Sequence, residues 1–314
     1  MSRVFIGYRL QSSVLLASDT AFWQLVANIS CICIVSIFFF FCNNSLSAVM
    51  DALLSRLFSS EEEELYMLDC MAYSMVFMAA CTFVTLLFEN VPYGRYATSK
   101  YGFPVNVRLA WFVQELPAFL VPLCLVVWTS SAKTSLLPNQ LLIAMYFCHY
   151  VQRSLIYPFL IRGGKPTPFA SFVLAIVFCI YNGYMQIRYL SHYAEYPAYW
   201  VTHPCFIAGS LLWLVGWLVN VHSDRILRNL RKPGETGYKI PTGGMFEYVS
   251  GANFLGEITE WAGFALASHS VHSSAFAIFT TVVLASRAVA HHKWYLAKFE
   301  DYPKSRKALI PFLL

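Results

Sequence analysis

The chain has 314 residues, of which 58% are hydrophobic and 12% charged, with nine cysteines and a formal charge of +5. Ordinary soluble domains carry about 25% charged residues. The composition excludes a soluble globular protein, and the basic excess does not point to nucleic acid. Apolar segments run over 22–42, 65–88, 109–130, 139–161, 168–190, 205–222, 250–268 and 273–290. Each approaches the ~17–25 residues that a spanning helix needs. Residues 22–42 follow Arg3 and Arg9, end in a run of phenylalanines, and are expected to be a signal anchor. Asn43-Asn44-Ser45 behind them is a glycosylation sequon. In an alternative reading, Met50 is the usual start and 1–49 an optional extension. Either way, 1–60 is expected to be an extension peripheral to the chemistry. Residues 61–314 are expected to form the main domain, with seven core spans beginning at residue 65.

Charge placement orients those spans. Loops after the first, third and fifth carry Arg95, Lys100, Arg108, then Arg162 and Lys165, then Arg225, Arg228, Arg231, Lys232 and Lys239. The tail adds Lys293, Lys298, Lys304, Arg306 and Lys307, whereas the opposite side has Arg56, Lys133 and Arg188. Positive loops stay cytosolic, so a cytosolic C-terminus and a luminal residue 64 are expected. The cysteines form no C-x-x-C pair, which argues against a zinc or redox motif. The longest polar stretch of the core, 223–249, starts helical and ends in Pro/Gly turns. As a basic, Gly-rich cytosolic loop, it suits the docking of a phosphorylated cofactor.

Several polar residues interrupt the spans. Glu115, with Gln114, lies in the first half of 109–130. An ionisable residue inside a span is costly and usually faces a polar cavity where it acts. A carboxyl in apolar surroundings is most stable uncharged, a form that donates a hydrogen bond. The next span contributes His149, Tyr150 and Arg153. A phenol and a neutral acid converging on one ligand oxygen would polarise a carbonyl; His149 is equally compatible with a satisfied core histidine.

Three further faces recur at helical spacing. Asn220, Asp224, Arg228 and Arg231 would share one side of a helix. They are either ribose and phosphate ligands or, for Asp224 and Arg228, a simple helix pair. Arg287, His291 and Tyr295 form a second face, either an anion clamp or interfacial anchors. Asn253, Glu257 and Glu260 form the third. No G-x-G-x-x-G or G-x-S-x-G is present, so neither a soluble dinucleotide fold nor a hydrolase elbow is expected.

These residues lie in blocks that resemble the steroid 5α-reductases, most nearly the type 1 form. The blocks are Ala110-Trp-Phe-Val-Gln-Glu-Leu-Pro117, His149-Tyr150, Arg162-Gly-Gly-Lys-Pro166, Asn220-Val-His-Ser-Asp224, Leu230-Arg-Lys-Pro-Gly-Glu-Thr-Gly-Tyr238, Tyr248-Val-Ser-Gly-Ala-Asn-Phe-Leu-Gly-Glu257 and Phe299-Glu-Asp-Tyr-Pro-Lys-Ser-Arg-Lys-Ala-Leu-Ile-Pro-Phe312. The resemblance runs from about residue 65 to the C-terminus.

It implies an all-α, seven-helix microsomal enzyme of the endoplasmic reticulum that reduces the C4–C5 double bond of 3-oxo-Δ4-steroids with NADPH. The carbonyl-binding pair falls on Glu115 and Tyr150, with Trp111 and Gln114 beside them against the substrate. The cofactor residues fall on Lys165, Asn220, Asp224, Arg231, Tyr238, Asn253, Glu257, Arg287, His291 and Tyr295. Lys165 and Ile161 depart from the type 2 form, where Arg and Asn stand. An enone accepts hydride at its β-carbon when its ketone oxygen is stabilised, the role expected of Glu115 and Tyr150. Hydride would reach C5 and a proton C4, with Tyr150 or water as candidate donors. A membrane enoyl-CoA or polyprenol reductase would share the cofactor half, and a non-catalytic sterol-binding protein is the remaining alternative. Residues 110–117 and 149–150 favour the steroid enzymes.

Overall fold

The computed structural model describes residues 44–92, 94–231, 235 and 237–314. The expected anchor at 22–42 and Asn43 of the sequon lie outside them. Helix α1 (Asn44–Leu57) falls within the expected extension and buries Leu54. Ser60 caps α2 (Glu61–Leu86), its side chain accepting from the Glu63 amide at 3.2 Å. Four glutamates open that helix, the favourable end of its dipole for negative charge.

The next apolar run is two helices rather than one. Asn106 caps α3 (Val107–Glu115), accepting from the Arg108 and Leu109 amides. Pro117 then begins α4 (Pro117–Trp128). Proline lacks the amide that would continue the ladder, so the seam falls directly after Glu115. Helix α5 (Leu137–Tyr150) continues into a π-helical stretch, Val151–Ile156, and a last α turn, Tyr157–Leu160. Such π insertions re-aim side chains and occur often at functional sites; here the stretch carries Arg153. Helix α6 (Phe169–Arg188) ends likewise in a π segment, Tyr189–Tyr193. Helices α7 (Pro204–Asn229), α8 (Ala252–Ser268) and α9 (Val271–Lys298) complete the bundle. A two-residue antiparallel pairing of β1 (Pro104–Val105) with β2 (Thr167–Pro168) ties the loop before α3 to the loop before α6.

Among the described residues, five helical stretches are long and apolar enough to cross a membrane: Glu61–Leu86, Val107–Trp128, Phe169–Tyr193, Pro204–Asn229 and Val271–Lys298. The chain is thus a multi-pass helical membrane protein. The other two expected spans are α5, with 14 residues before its π stretch, and α8, with 17. Both are central: Leu142, Tyr146, Trp261 and Phe264 are almost wholly buried in the main core. Helices walled by protein rather than lipid need neither full length nor unbroken apolarity.

Glycines set the closest approach. A Cβ on Gly216 of α7 would lie 2.3 Å from the Glu260 amide nitrogen and 2.6 Å from the Gly256 oxygen. One on Gly256 of α8 would lie 2.4 Å from the Asn220 nitrogen, and Gly209 and Gly263 are as tightly opposed. Small residues let membrane helices meet backbone to backbone. This seam brings Asn220 and Asp224 of α7 against Glu257 and Glu260 of α8.

In the first turn of α2, Glu64 is buried against Arg188, a pair with Nη2–Oε2 at 2.7 Å and Nε–Oε1 at 2.8 Å. Tyr184 and Tyr193 also donate to this carboxylate. Arg188, taken from the sequence as a loop charge, is the last residue of α6 and points inward. The C-terminal tail folds back over the start of α8. The Ser250 and Gly251 amides donate to the carbonyls of Lys307 and Ala308 at 2.8 and 3.0 Å.

Candidate active site

One cavity of about 770 Å³ runs through the bundle, within the size range of small-molecule sites. Its walls include Trp111, Gln114, Glu115, Tyr150, Lys165, Asp224, Arg231, Tyr238, Asn253, Glu257, Arg287 and His291. The expected substrate and cofactor residues, from seven stretches of chain, therefore meet in one space. Asn220 and Tyr295 stand behind the wall. Asn220 donates to the Asn253 carbonyl at 2.9 Å and to Glu257 at 3.3 Å. Tyr295 accepts from the Arg95 guanidinium at 3.2 Å.

The apolar part is built by α6 and α9, with Ala175, Phe178, Phe276, Phe279, Val283 and Leu284. Glu115 reaches the cavity from the last turn of α3. Gln114 Nε2 lies 3.4 Å from its Oε1, and the Cys179 thiol lies 3.8 Å from its Oε2. Ser154 of the π stretch donates to the Glu115 carbonyl at 2.9 Å, next to the break at Pro117. Tyr150 ends α5 with its hydroxyl accepting from Asn182 Nδ2 at 3.4 Å. Cys179 and Asn182 sit three residues apart on α6, so one helix face holds both expected carbonyl donors in place.

Arg153 is the hub of the polar wall. It donates to Asp224 Oδ2 at 2.8 Å and pairs with Glu257 through its other terminal nitrogen. Its guanidinium also lies over the rings of Tyr157 and Trp111, at 5.2 and 5.5 Å. Asp224 thus has an interhelical partner, beyond the Arg228 neighbour considered from its spacing. The pattern of the sequence showed Arg153 as one polar residue in an apolar run; its two carboxylate partners, 71 and 104 residues away, left no local signal.

Arg95 was legible only as a topology charge. It lines the cavity, lies 4.2 Å from the Trp294 ring and 4.7 Å from that of Tyr295, and has a buried Nη1 with no hydrogen-bond partner. Lys165 donates to its carbonyl at 3.1 Å. His149 is paired, its Nδ1 lying 2.7 Å from Glu260 Oε1, and it packs on Trp261 at 4.6 Å.

Residues 165–314 match the family model described as 3-oxo-5-alpha-steroid 4-dehydrogenase. The chain is 57% identical over 254 residues to 3-oxo-5-alpha-steroid 4-dehydrogenase 1 of Rattus norvegicus, covering 81% of this chain and 98% of that one. It is 53% identical over 247 residues to the Homo sapiens type 1 protein, covering 79% and 95%. To the type 2 protein of Rattus norvegicus it is 48% identical over 234 residues, covering 74% and 91%. Matches of this length and identity, over blocks that build one cavity, place the chain in the 3-oxo-5-alpha-steroid 4-dehydrogenase family.

Proposed function

We propose that the chain reduces the C4–C5 double bond of 3-oxo-Δ4-steroids to the 5α-reduced ketones, with NADPH as reductant. The observation that carries this is the meeting, on one cavity, of Glu115, Tyr150, a basic cluster and an apolar part lined by α6 and α9. The donor set suits a phosphorylated dinucleotide. Arg95, Lys165, Arg231 and Arg287 all line the cavity, and the buried, unpartnered Nη1 of Arg95 suits an anion. Asp224, Asn253 and Glu257 supply acceptors for ribose and amide groups. Bound NADPH would supply hydride to steroid C5.

The chain's own groups do the rest. Tyr150 and an uncharged Glu115 donate to the steroid ketone oxygen, and both bonds strengthen as negative charge grows there. Phe178, Phe276 and Phe279 hold the apolar rings and keep water out. Arg153 fixes Asp224 and Glu257, so two acids stay beside the cofactor half without repelling it. The family resemblance supports a seven-span enzyme of the endoplasmic reticulum membrane, and the charge of the loops supports a cytosolic C-terminus. That orientation opens the basic end of the cavity toward cytosolic NADPH.

Glu115→Gln keeps the shape and loses the acidic proton; Tyr150→Phe loses the phenol. Each should lower turnover of testosterone by about 100-fold, the scale of one carbonyl-polarising donor, while NADPH still binds. Near-normal turnover in Glu115→Gln would overturn the role of the acid.

A further inference from the structure

The reaction needs a proton at C4, and the ketone donors do not by themselves provide it. The core holds a titratable pair that the carbonyl chemistry leaves unused. His149 lines the cavity beside Tyr150, with ring centroids 4.9 Å apart. Its Nδ1 meets Glu260 Oε1 at 2.7 Å. Glu260 is wholly buried on α8, and its Oε2 has no hydrogen-bond partner. The pair bridges α5 and α8, and α8 is fixed at this point by the glycine seam with α7, since the Glu260 amide is the atom a Gly216 Cβ would strike. Trp261 packs on the imidazole and fixes its plane. With Nδ1 committed to the carboxylate, Nε2 is the ring nitrogen left to act on the cavity. Such a carboxylate behind a histidine orients the ring and holds its charge during proton transfer. The charged groups acting on His149 from neighbouring elements are Glu257, Arg153 and Asp224, and Arg153 is paired to both acids.

We infer that His149, positioned by Glu260, is the general acid that protonates steroid C4. The inference rests on the functional reading above. Hydride addition at C5 leaves the steroid as an enolate, with its electron pair shared between the ketone oxygen and C4. The pair at C4 forms the new C–H bond. The Nε2–H bond breaks, and its electrons stay on nitrogen. The proton shared between Nδ1 and Oε1 settles on Nδ1, so a neutral imidazole faces a carboxylate and solvent later restores the lost proton. No electrons beyond the hydride pair are needed.

The step can be isolated by running it backwards. The acid that gives a proton to C4 also removes one from the product ketone. The purified full-length protein, with oxidised cofactor, is incubated with a 5α-reduced 3-oxosteroid in D₂O, and deuterium at C4 and C2 is followed by mass spectrometry. The wild type should exchange C4 in preference to C2. His149→Gln should lose about 100-fold in C4 exchange and in turnover, the scale of one general acid, with steroid binding changed by less than about 3-fold. Glu260→Gln, which keeps the buried shape, should lose exchange to an intermediate degree. In His149→Ala, added imidazole should restore part of the exchange. C4 exchange at the wild-type rate in a folded, steroid-binding His149→Gln or Glu260→Gln protein overturns the assignment. A wild type that produces no 5α-reduced steroid from the Δ4-ketone overturns the functional reading itself, so the two failures are distinguishable.

Discussion

Gly216→Ala is the sharpest test of how the fold builds the site. The added Cβ would lie 2.3 Å from the Glu260 nitrogen, 2.6 Å from the Gly256 oxygen and 2.7 Å from the Glu260 Cα. All three are backbone atoms, so no side chain can swing aside. Non-bonded atoms settle near 3.5–4.0 Å, so α7 and α8 must part by about 1 Å. Overpacking of this kind costs about 1–3 kcal/mol. The functional cost should be larger than the stability cost implies. Asn220 reaches the Asn253 carbonyl at 2.9 Å across this seam, and Glu260, whose backbone takes the clash, reaches His149 of α5 at 2.7 Å. A misplacement of about 1 Å can cost about 100-fold in rate. Membranes carrying the variant should show a lower midpoint of thermal inactivation and a fall in kcat/KM for both cofactor and steroid. Gly183→Ala serves as a milder comparison, because the nearest atom to its Cβ would be in the Pro122 ring at 3.1 Å rather than a backbone nitrogen at 2.3 Å. Wild-type stability and kinetics in Gly216→Ala would refute the claim that this backbone contact sets the site.

Other expectations follow from the polar groups. Arg153→Ala leaves Asp224 and Glu257 buried without their cation, which should destabilise the protein by about 3–5 kcal/mol and be seen as loss of folded protein in detergent. Glu64→Ala strands Arg188 in the same way at the far end of the bundle. It should lower the inactivation temperature while leaving the KM of both substrates unchanged in the protein that remains folded. Arg231→Ala should raise the KM for NADPH with little change in that for steroid; an unchanged cofactor KM would remove Arg231 from the phosphate.

The residues of the site were more legible in sequence than the way they are held. Glu115 and Glu257 stand out because charge in an apolar run has a cost that function must offset, and Asp224 by its helical spacing from Asn220 and Arg228. Helical spacing grouped Arg287 with His291, and both line the cavity. What stayed hidden depends on long-range geometry. Arg153 sits on a π stretch that spacing rules cannot anticipate, and its carboxylates come from α7 and α8. In sequence His149 is equally compatible with a core histidine and a donor to a ligand, because its partner Glu260 lies on another helix, 111 residues away. The glycines of α7 and α8 read as ordinary small residues, because only the partner backbone reveals why no Cβ fits. Arg188 shows the same limit: a loop charge by position, it belongs to a buried pair with Glu64.

The central claim is that one cavity brings a polarised 3-oxo-Δ4-steroid and NADPH together. Its most direct test is incubation of microsomes containing the wild-type protein with NADPH and testosterone, followed by chromatography of the products beside membranes carrying Glu115→Gln. The account predicts a 5α-reduced 3-oxosteroid from the wild type and about 100-fold less from the variant. No reduced steroid from the folded wild type, or equal amounts from both proteins, would contradict it.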